Sequence, residues 1–184
     1  MGEGGYKIRN QLAIHFITFA VVEWVDVFTR KDYRDKVIES LRFCQQKKGL
    51  NLHSWILMSN HIHLIASAQE GFELSNILRD FKKYTSNTII QTIEENQQES
   101  RKDWMPGIFK EAGKRNNRNT THQFWRQDNQ PKELNGNKMI EQKLSYIHNN
   151  AVEAGIVDKA EDYIYSSARD YAGEKGLLEI CFLD

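Results

Sequence analysis

The residues most able to do chemistry are a pair of histidines, His61 and His63, separated by Ile62. In an extended strand, side chains at i and i+2 leave the same face. Both imidazoles then project together, while Ile62 and Leu64 turn into the core behind them. Two adjacent imidazoles can ligate a divalent ion. The pattern is short, and two partly exposed histidines on a polar sheet face would satisfy it equally well. A second pair, Tyr146 and Asn150, stands at i and i+4 in a helical stretch and so shares one helix face. A phenol can act as a covalent nucleophile, although an ordinary pKa of about 10 means that it needs a base or a cation nearby. The Asn150 amide oxygen could complete a metal shell with His61 and His63. The plain alternatives are a half-buried boundary tyrosine and a solvent-facing or capping asparagine. Tyr84, beside Lys82 and Lys83, is a rival nucleophile or a packing residue. His15, His53, His122 and His148 read as structural; His148 is two positions on from Tyr146 and points elsewhere around the helix.

These residues need elements to position them. Residues 14–28 are rich in β-branched and aromatic types and predict a strand with a turn near Glu23. Residues 31–48 carry Val37, Ile38, Leu41 and Cys44 at helical spacing, with Thr29 as an N-cap. Two strands follow, over residues 50–58 and 61–68, joined by a tight turn at Ser59 and Asn60. A long helix is predicted over residues 74–92, with Leu74, Ile77, Leu78, Phe81, Thr85 and Thr88 on one stripe. Residues 93–118 are polar, with Pro106, Gly107 and Gly113, and predict a loop-rich segment. Phe124 and Trp125 suggest a short strand. A last helix over residues 138–154, capped by Asn137 and ended by Gly155, places Ile140, Leu144, Ile147 and Ala151 toward the core. The order of elements implies an α+β fold of the ferredoxin-like, split β-α-β kind, an antiparallel sheet with helices on one face. The expected organisation is an N-terminal tail over residues 1–13, one domain over 14–172 and a C-terminal tail over 173–184.

Composition narrows the class. The chain has 184 residues, 40% of them hydrophobic and 11% aromatic, enough for one core of ordinary size. Its N-terminus lacks the apolar run of a secretory signal, and there is no stretch of about 18 apolar residues. No membrane association and a cytoplasmic location are therefore expected. The two cysteines, Cys44 and Cys181, form no metal-binding spacing and suggest no disulfide framework. The formal net charge is zero, which argues against a strong non-specific duplex binder. Charge is nonetheless clustered: Arg79, Lys82 and Lys83 around Asp80, and Lys110, Lys114, Arg115 and Arg118 around Glu111. Such clusters can grip a few phosphates, and either alone is equally a solvated surface. Trp104, Phe109 and Trp125 could stack on bases, while Phe124 and Trp125 are explained equally well as core aromatics.

The conjunction of motifs resembles a known family. Residues 55–65, WILMSNHIHLI, resemble the strand-turn-strand bearing the histidine-hydrophobe-histidine motif of insertion-sequence tyrosine transposases. Residues 143–157, KLSYIHNNAVEAGIV, resemble the catalytic-tyrosine helix of the branch associated with repetitive extragenic palindromes (REP), and residues 163–171, YIYSSARDY, the segment that follows it. Phe81-Lys82-Lys83-Tyr84 and Phe124-Trp125-Arg126 match similar places in that branch. The resemblance spans residues 14–172. One departure is Ala151, where the family commonly has proline after the asparagine; alanine suits a helix interior better.

The resemblance implies metal-dependent cleavage and strand transfer on single-stranded, hairpin or palindromic DNA. By it, Tyr146 is the nucleophile that forms a 5′-phosphotyrosine, and His61, His63 and Asn150 hold Mg²⁺ or Mn²⁺. Arg79, Lys82, Lys83, Tyr84, Lys110, Lys114, Arg115, Arg118, Trp125 and Arg126 are the expected DNA contacts. A bacterial, nucleoid-associated location is implied. Relatives include monomers and homodimers that share active sites. Two other functions stay open: a domesticated hairpin-binding protein without activity, and a small metallohydrolase on the same fold class.

Overall fold

The computed structural model describes residues 8–116, 121–127 and 130–183. Four strands, β1 (His15–Ala20), β2 (Leu50–Leu57), β3 (His61–Ala68) and β4 (Lys132–Glu133), form one sheet in the order β2-β3-β1-β4. Every neighbouring pair is antiparallel. This is the split β-α-β arrangement expected of the element order, and the fold is α+β.

Alternation along the strands builds two apolar faces. Ile17 and Phe19 of β1, Trp55 and Leu57 of β2, and Ile62, Leu64 and Ala66 of β3 point to one side. Helix α1 (Lys31–Lys47) covers that side with Tyr33, Val37, Ile38, Leu41 and Cys44, and α2 (Leu74–Glu95) with Leu74, Ile77, Phe81 and Ile89. These two helices share one face, as the layout requires. The opposite face carries Ile56, Met58, Ile65 and Phe16, too much apolar surface to leave in water. Helix α4 (Asn137–Glu153) covers it, burying Ile147 and Ala151 fully and packing Ile140 and Leu144 alongside.

Three local expectations are corrected. Residues 93–118 contain a helix, α3 (Met105–Lys114), where the sequence predicted loop. Pro106 lies in its first turn, where a missing N–H costs nothing. Gly113 is required by packing, since a Cβ there would lie 2.7 Å from the His122 Cα. The fourth strand is Lys132–Glu133, not the Phe124-Trp125 segment, which makes one isolated bridge from Trp125 to Val21. Thr29 does not cap α1; its hydroxyl donates to the Asp26 carbonyl, and Arg30 holds the cap position without a side-chain bond.

The segment after α4 folds back along β2. Leu57 N–H donates to the Tyr165 carbonyl, and Cys181 N–H to the Leu52 carbonyl. Among the described residues, no helix is long and apolar enough to cross a membrane. Cys44 is buried, its thiol pushed up to about 11 by desolvation, and Cys181 is exposed; neither is disulfide-bonded.

Candidate active site

His61 and His63 leave β3 on the side facing α4, because Ile62 between them is committed to the α1–α2 core. Their ring centroids are 4.7 Å apart. Helix α4 crosses this face, docked by Ile147 and Ala151. That contact sets the rotation of the helix and swings the neighbouring Tyr146 toward the imidazoles. The Tyr146 hydroxyl lies 3.4 Å from His63 Nε2, and the two rings meet edge to face at 5.2 Å. Phe16, diagonal to His63 across the β1–β3 pair, stacks on the imidazole at 5.4 Å and meets the Tyr146 ring at 6.0 Å. Tyr146 keeps 40% of its surface exposed, so a ligand can reach it.

Each imidazole is held from behind. His61 Nδ1 lies 2.8 Å from Asn60 Oδ1. The Asn60 amide is oriented by its other end, which donates to the Trp24 carbonyl at 3.2 Å and to Asp26 Oδ1 at 3.1 Å. Its oxygen must therefore face His61, and a carbonyl oxygen only accepts, so the His61 proton sits on Nδ1 and Nε2 carries a lone pair. His63 Nδ1 lies 2.8 Å from Thr18 Oγ1; donation to that hydroxyl leaves Nε2 as an acceptor facing Tyr146. Burial holds both histidines neutral. His61 is lowered by desolvation, and His63 is lowered to about 3 by desolvation, then by His61 and Lys143. Two neutral imidazoles with their outer nitrogens fixed suit a divalent ion. No cluster of three or more His, Cys, Asp or Glu side chains able to hold a metal occurs among the described residues. A third ligand would have to be an amide, a phenol, water or substrate. Asn150, half-buried one turn beyond Tyr146, makes no side-chain hydrogen bond within the described structure and is available for that place.

Positive charge beside the phenol comes from Lys143, which sequence reasoning missed. Its Nζ is 4.4 Å from the Phe16 ring centroid and 5.1 Å from that of Tyr146. The signal was present, because Lys143 stands one helical turn, i−3, from Tyr146. Thr18 and Asn60 were missed too. Asn60 was legible only as a turn residue, and Thr18 acts through a cross-strand pairing with His63 that no local pattern reveals.

The expected DNA contacts are dispersed. Lys82 and Arg126 lie together, Lys82 Nζ donating to the Arg126 carbonyl at 3.3 Å, and Arg126 packs over Trp24 beside His61. Lys83 and Tyr84 are exposed on α2, in the helix layer across the sheet from the imidazoles. Arg79 is engaged by Asp80 and Asn76. Lys114 pairs with Glu111 at 2.7 Å, Arg115 with Glu23 at 3.8 Å and Lys110 with Glu94 at 4.0 Å. Arg118 lies outside the described residues. Trp125 is corrected: it is buried, donates to Thr85 Oγ1 at 2.9 Å and stacks on Phe28, so it builds the core rather than a DNA surface. Phe109 is buried as well, whereas Trp104 is exposed. His148, read as structural, is inward, within 3.0 Å of Ser167 Oγ and lowered to about 4 by desolvation.

A family model described as IS200-like transposase matches residues 9–124, more than half of the chain. The chain belongs to the IS200-like transposase family. The match includes His61 and His63 and ends before Tyr146 and Asn150, so family membership rests on β1 to β3, α1 to α3 and the histidine pair. Among solved structures, this transposase is similar to a REP-associated tyrosine transposase bound to a REP hairpin, with a TM-score of 0.63 and 16% identity, over 100% of this chain and 94% of that one. At that identity the likeness is one of fold, and it extends through α4. A crystal structure of a putative transposase from Deinococcus radiodurans, 15% identical, is covered over 73% of its length by 52% of this chain, with a TM-score of 0.39. The chain matches no curated protein.

Proposed function

We propose that this transposase cleaves and rejoins single-stranded DNA, in or beside a hairpin, through a covalent bond to Tyr146. The observation that carries the reading is the 3.4 Å approach of the Tyr146 phenol to His63 Nε2, with His61 alongside. In this reading the nucleophile is in direct contact with one of two neutral imidazoles, and an ion and a phosphate would enter by parting the phenol from His63 Nε2. The hairpin-bound relative of the same fold supports the choice of substrate.

In this mechanism His61 and His63 would offer Nε2 lone pairs, and Asn150 its amide oxygen, to a bound Mg²⁺ or Mn²⁺. The ion supplies Lewis-acid polarisation of the scissile phosphate. Tyr146 gives its proton to solvent and its oxygen bonds to phosphorus as the bond to the 3′ oxygen breaks; that oxygen takes a proton from solvent and leaves as a 3′-hydroxyl. The 5′ phosphate stays on the tyrosine, so the phosphodiester energy is conserved until another 3′-hydroxyl reverses the step. Lys143 places its charge beside the incoming phosphate. Phe16 and Thr18 fix the His63 ring. Both histidines and the phenol of this reading come from one chain.

The test is incubation of labelled hairpin DNA carrying a single-stranded flank with Mn²⁺. The wild-type chain should yield a denaturation-resistant protein–DNA adduct. Tyr146→Phe should bind the same DNA with unchanged affinity and form none. Binding by the wild type with no cleavage and no adduct would show a hairpin-binding protein without activity and overturn the reading.

A further inference from the structure

Immediately after β1 the chain makes an unusual bend. Glu23 and Trp24, neither of them glycine, both have left-handed backbone angles, φ 52° and 54°. Bulky residues adopt this conformation only where their surroundings impose it. Here the restraints are visible. The Trp24 carbonyl accepts from Asn60 Nδ2, and its N–H donates to the Val21 carbonyl at 3.1 Å. Asp26, two residues on, takes hydrogen bonds from Ser59 Oγ at 2.6 Å and Asn60 Nδ2, and its carbonyl accepts from Arg101 at 2.6 Å.

The bend does not bury the indole. Trp24 is 52% exposed, whereas Trp55 and Trp125 are in the core. Its ring meets His61 edge to face at 6.2 Å, and the Arg126 guanidinium lies over it at 5.1 Å from the centroid. Arg126 is itself tied to the end of β1 through its N–H, 2.8 Å from the Ala20 carbonyl. A rigid backbone thus holds a large aromatic surface in solvent, with a cation against it, at the lip of the imidazole pair. Nucleobases stack on such a surface irrespective of sequence, and a neighbouring arginine adds cation–π and phosphate contacts.

We propose that Trp24, braced by Arg126, is the stacking platform for an unpaired base of the nucleotide next to the scissile phosphate. The inference rests on the reading of His61 and His63 as the place where DNA is cut. It commits the substrate further: the strand at the site is single, with a base turned out of any helical stack.

The test pairs a protein change with a DNA change, in a Tyr146→Phe background that prevents cleavage. The cleaved position is first mapped with the wild-type enzyme. Oligonucleotides with an abasic residue at each flanking position are then titrated against Trp24 and Trp24→Ala. At one position, loss of the base or loss of the indole should each weaken binding about tenfold, and the two together by no more than either alone. Trp24→Phe should restore most of the affinity. Mn²⁺ binding should be unchanged in Trp24→Ala, since the Asn60 contact is to the Trp24 main chain. If that variant does not fold, Trp24→Leu is read by the same cycle. Losses that multiply at every position, or no loss, would overturn the platform while leaving the Tyr146 reading intact. Failure of the wild type to bind DNA at all would remove both.

Discussion

At the scale of single residues, the His61, His63 and Tyr146 cluster depends on the side chains that hold it from behind. His61 can offer Nε2 to an ion only if its proton stays on Nδ1, and Asn60 enforces this because its amide nitrogen is already committed to Trp24 and Asp26. Outer partners of this kind commonly change metal affinity 10–100-fold. Asn60→Ala should therefore weaken Mn²⁺ binding by about tenfold or more, measured by titration calorimetry. Asn60→Asp keeps an accepting oxygen and should retain more of it. Unchanged Mn²⁺ affinity in Asn60→Ala would remove this role. The histidine pair itself was legible in the sequence, because strand periodicity alone puts His61 and His63 on one side. The reach of Tyr146 to His63 was not, since it depends on how a helix 83 residues later settles on the sheet. Trp125 shows the opposite failure. An aromatic beside an arginine reads as a DNA surface, but its indole N–H satisfies Thr85 inside the core.

At the scale of elements, α4 is the part that makes a site out of a strand. Its apolar stripe was readable from spacing, and so was its end. Gly155 takes φ 69°, and the N–H groups of Gly155 and Ile156 return to the Val152 and Ala151 carbonyls, as a left-handed helix cap requires. The face it covers was not readable, because the sequence gives no way to choose between two apolar sides of a sheet. The anchor is Ile147, fully buried next to Tyr146. Ile147→Ala should cost about 2–5 kcal/mol in urea denaturation. It should also reduce adduct formation at conditions where the variant is still folded, since the phenol loses its fixed position. A destabilised variant with a wild-type adduct yield would show that docking of α4 does not aim the tyrosine. Helix α3 and the two-residue β4 escaped the sequence for a common reason. Proline and glycine were read as breakers where one starts a helix and the other makes room for His122, and two residues are too few to show alternation.

At the scale of the molecule, the bend under the site is linked to the far side of the fold by one buried carboxylate. Glu99 is almost wholly buried and accepts from Arg101, from Arg30 at 2.9 Å and from the Tyr33 hydroxyl at 2.9 Å; Arg101 in turn holds the Asp26 carbonyl. Arg101 above all, against the opposing effect of burial, holds the Glu99 carboxyl down to about 2, below its ordinary 4.5. A folded pKa below the unfolded one means the stabilisation is present above pH 4.5 and is lost as pH falls from there through about 2. The contribution is roughly 3 kcal/mol, at about 1.4 kcal/mol per unit. Urea denaturation at pH 7 and pH 3 should show the larger part of this loss, about 2 kcal/mol, in the wild type and a much smaller difference in Glu99→Gln, which should be less stable at pH 7. An acid limb equally steep in Glu99→Gln would assign the loss to other carboxylates. The zero net charge, legible at once, fits a protein that grips a few phosphates at one site rather than coating itself with duplex.

The central claim is that one phenol takes the DNA, and the most direct measurement is to find it. Wild-type protein should be incubated with hairpin DNA and Mn²⁺, digested with protease and nuclease, and the nucleotide-bearing peptide sequenced by mass spectrometry. The expected result is a single modified peptide carrying its phosphate on Tyr146, absent when the divalent ion is chelated. A modification on Tyr84 or any other side chain, or cut DNA with both ends free, would contradict the account.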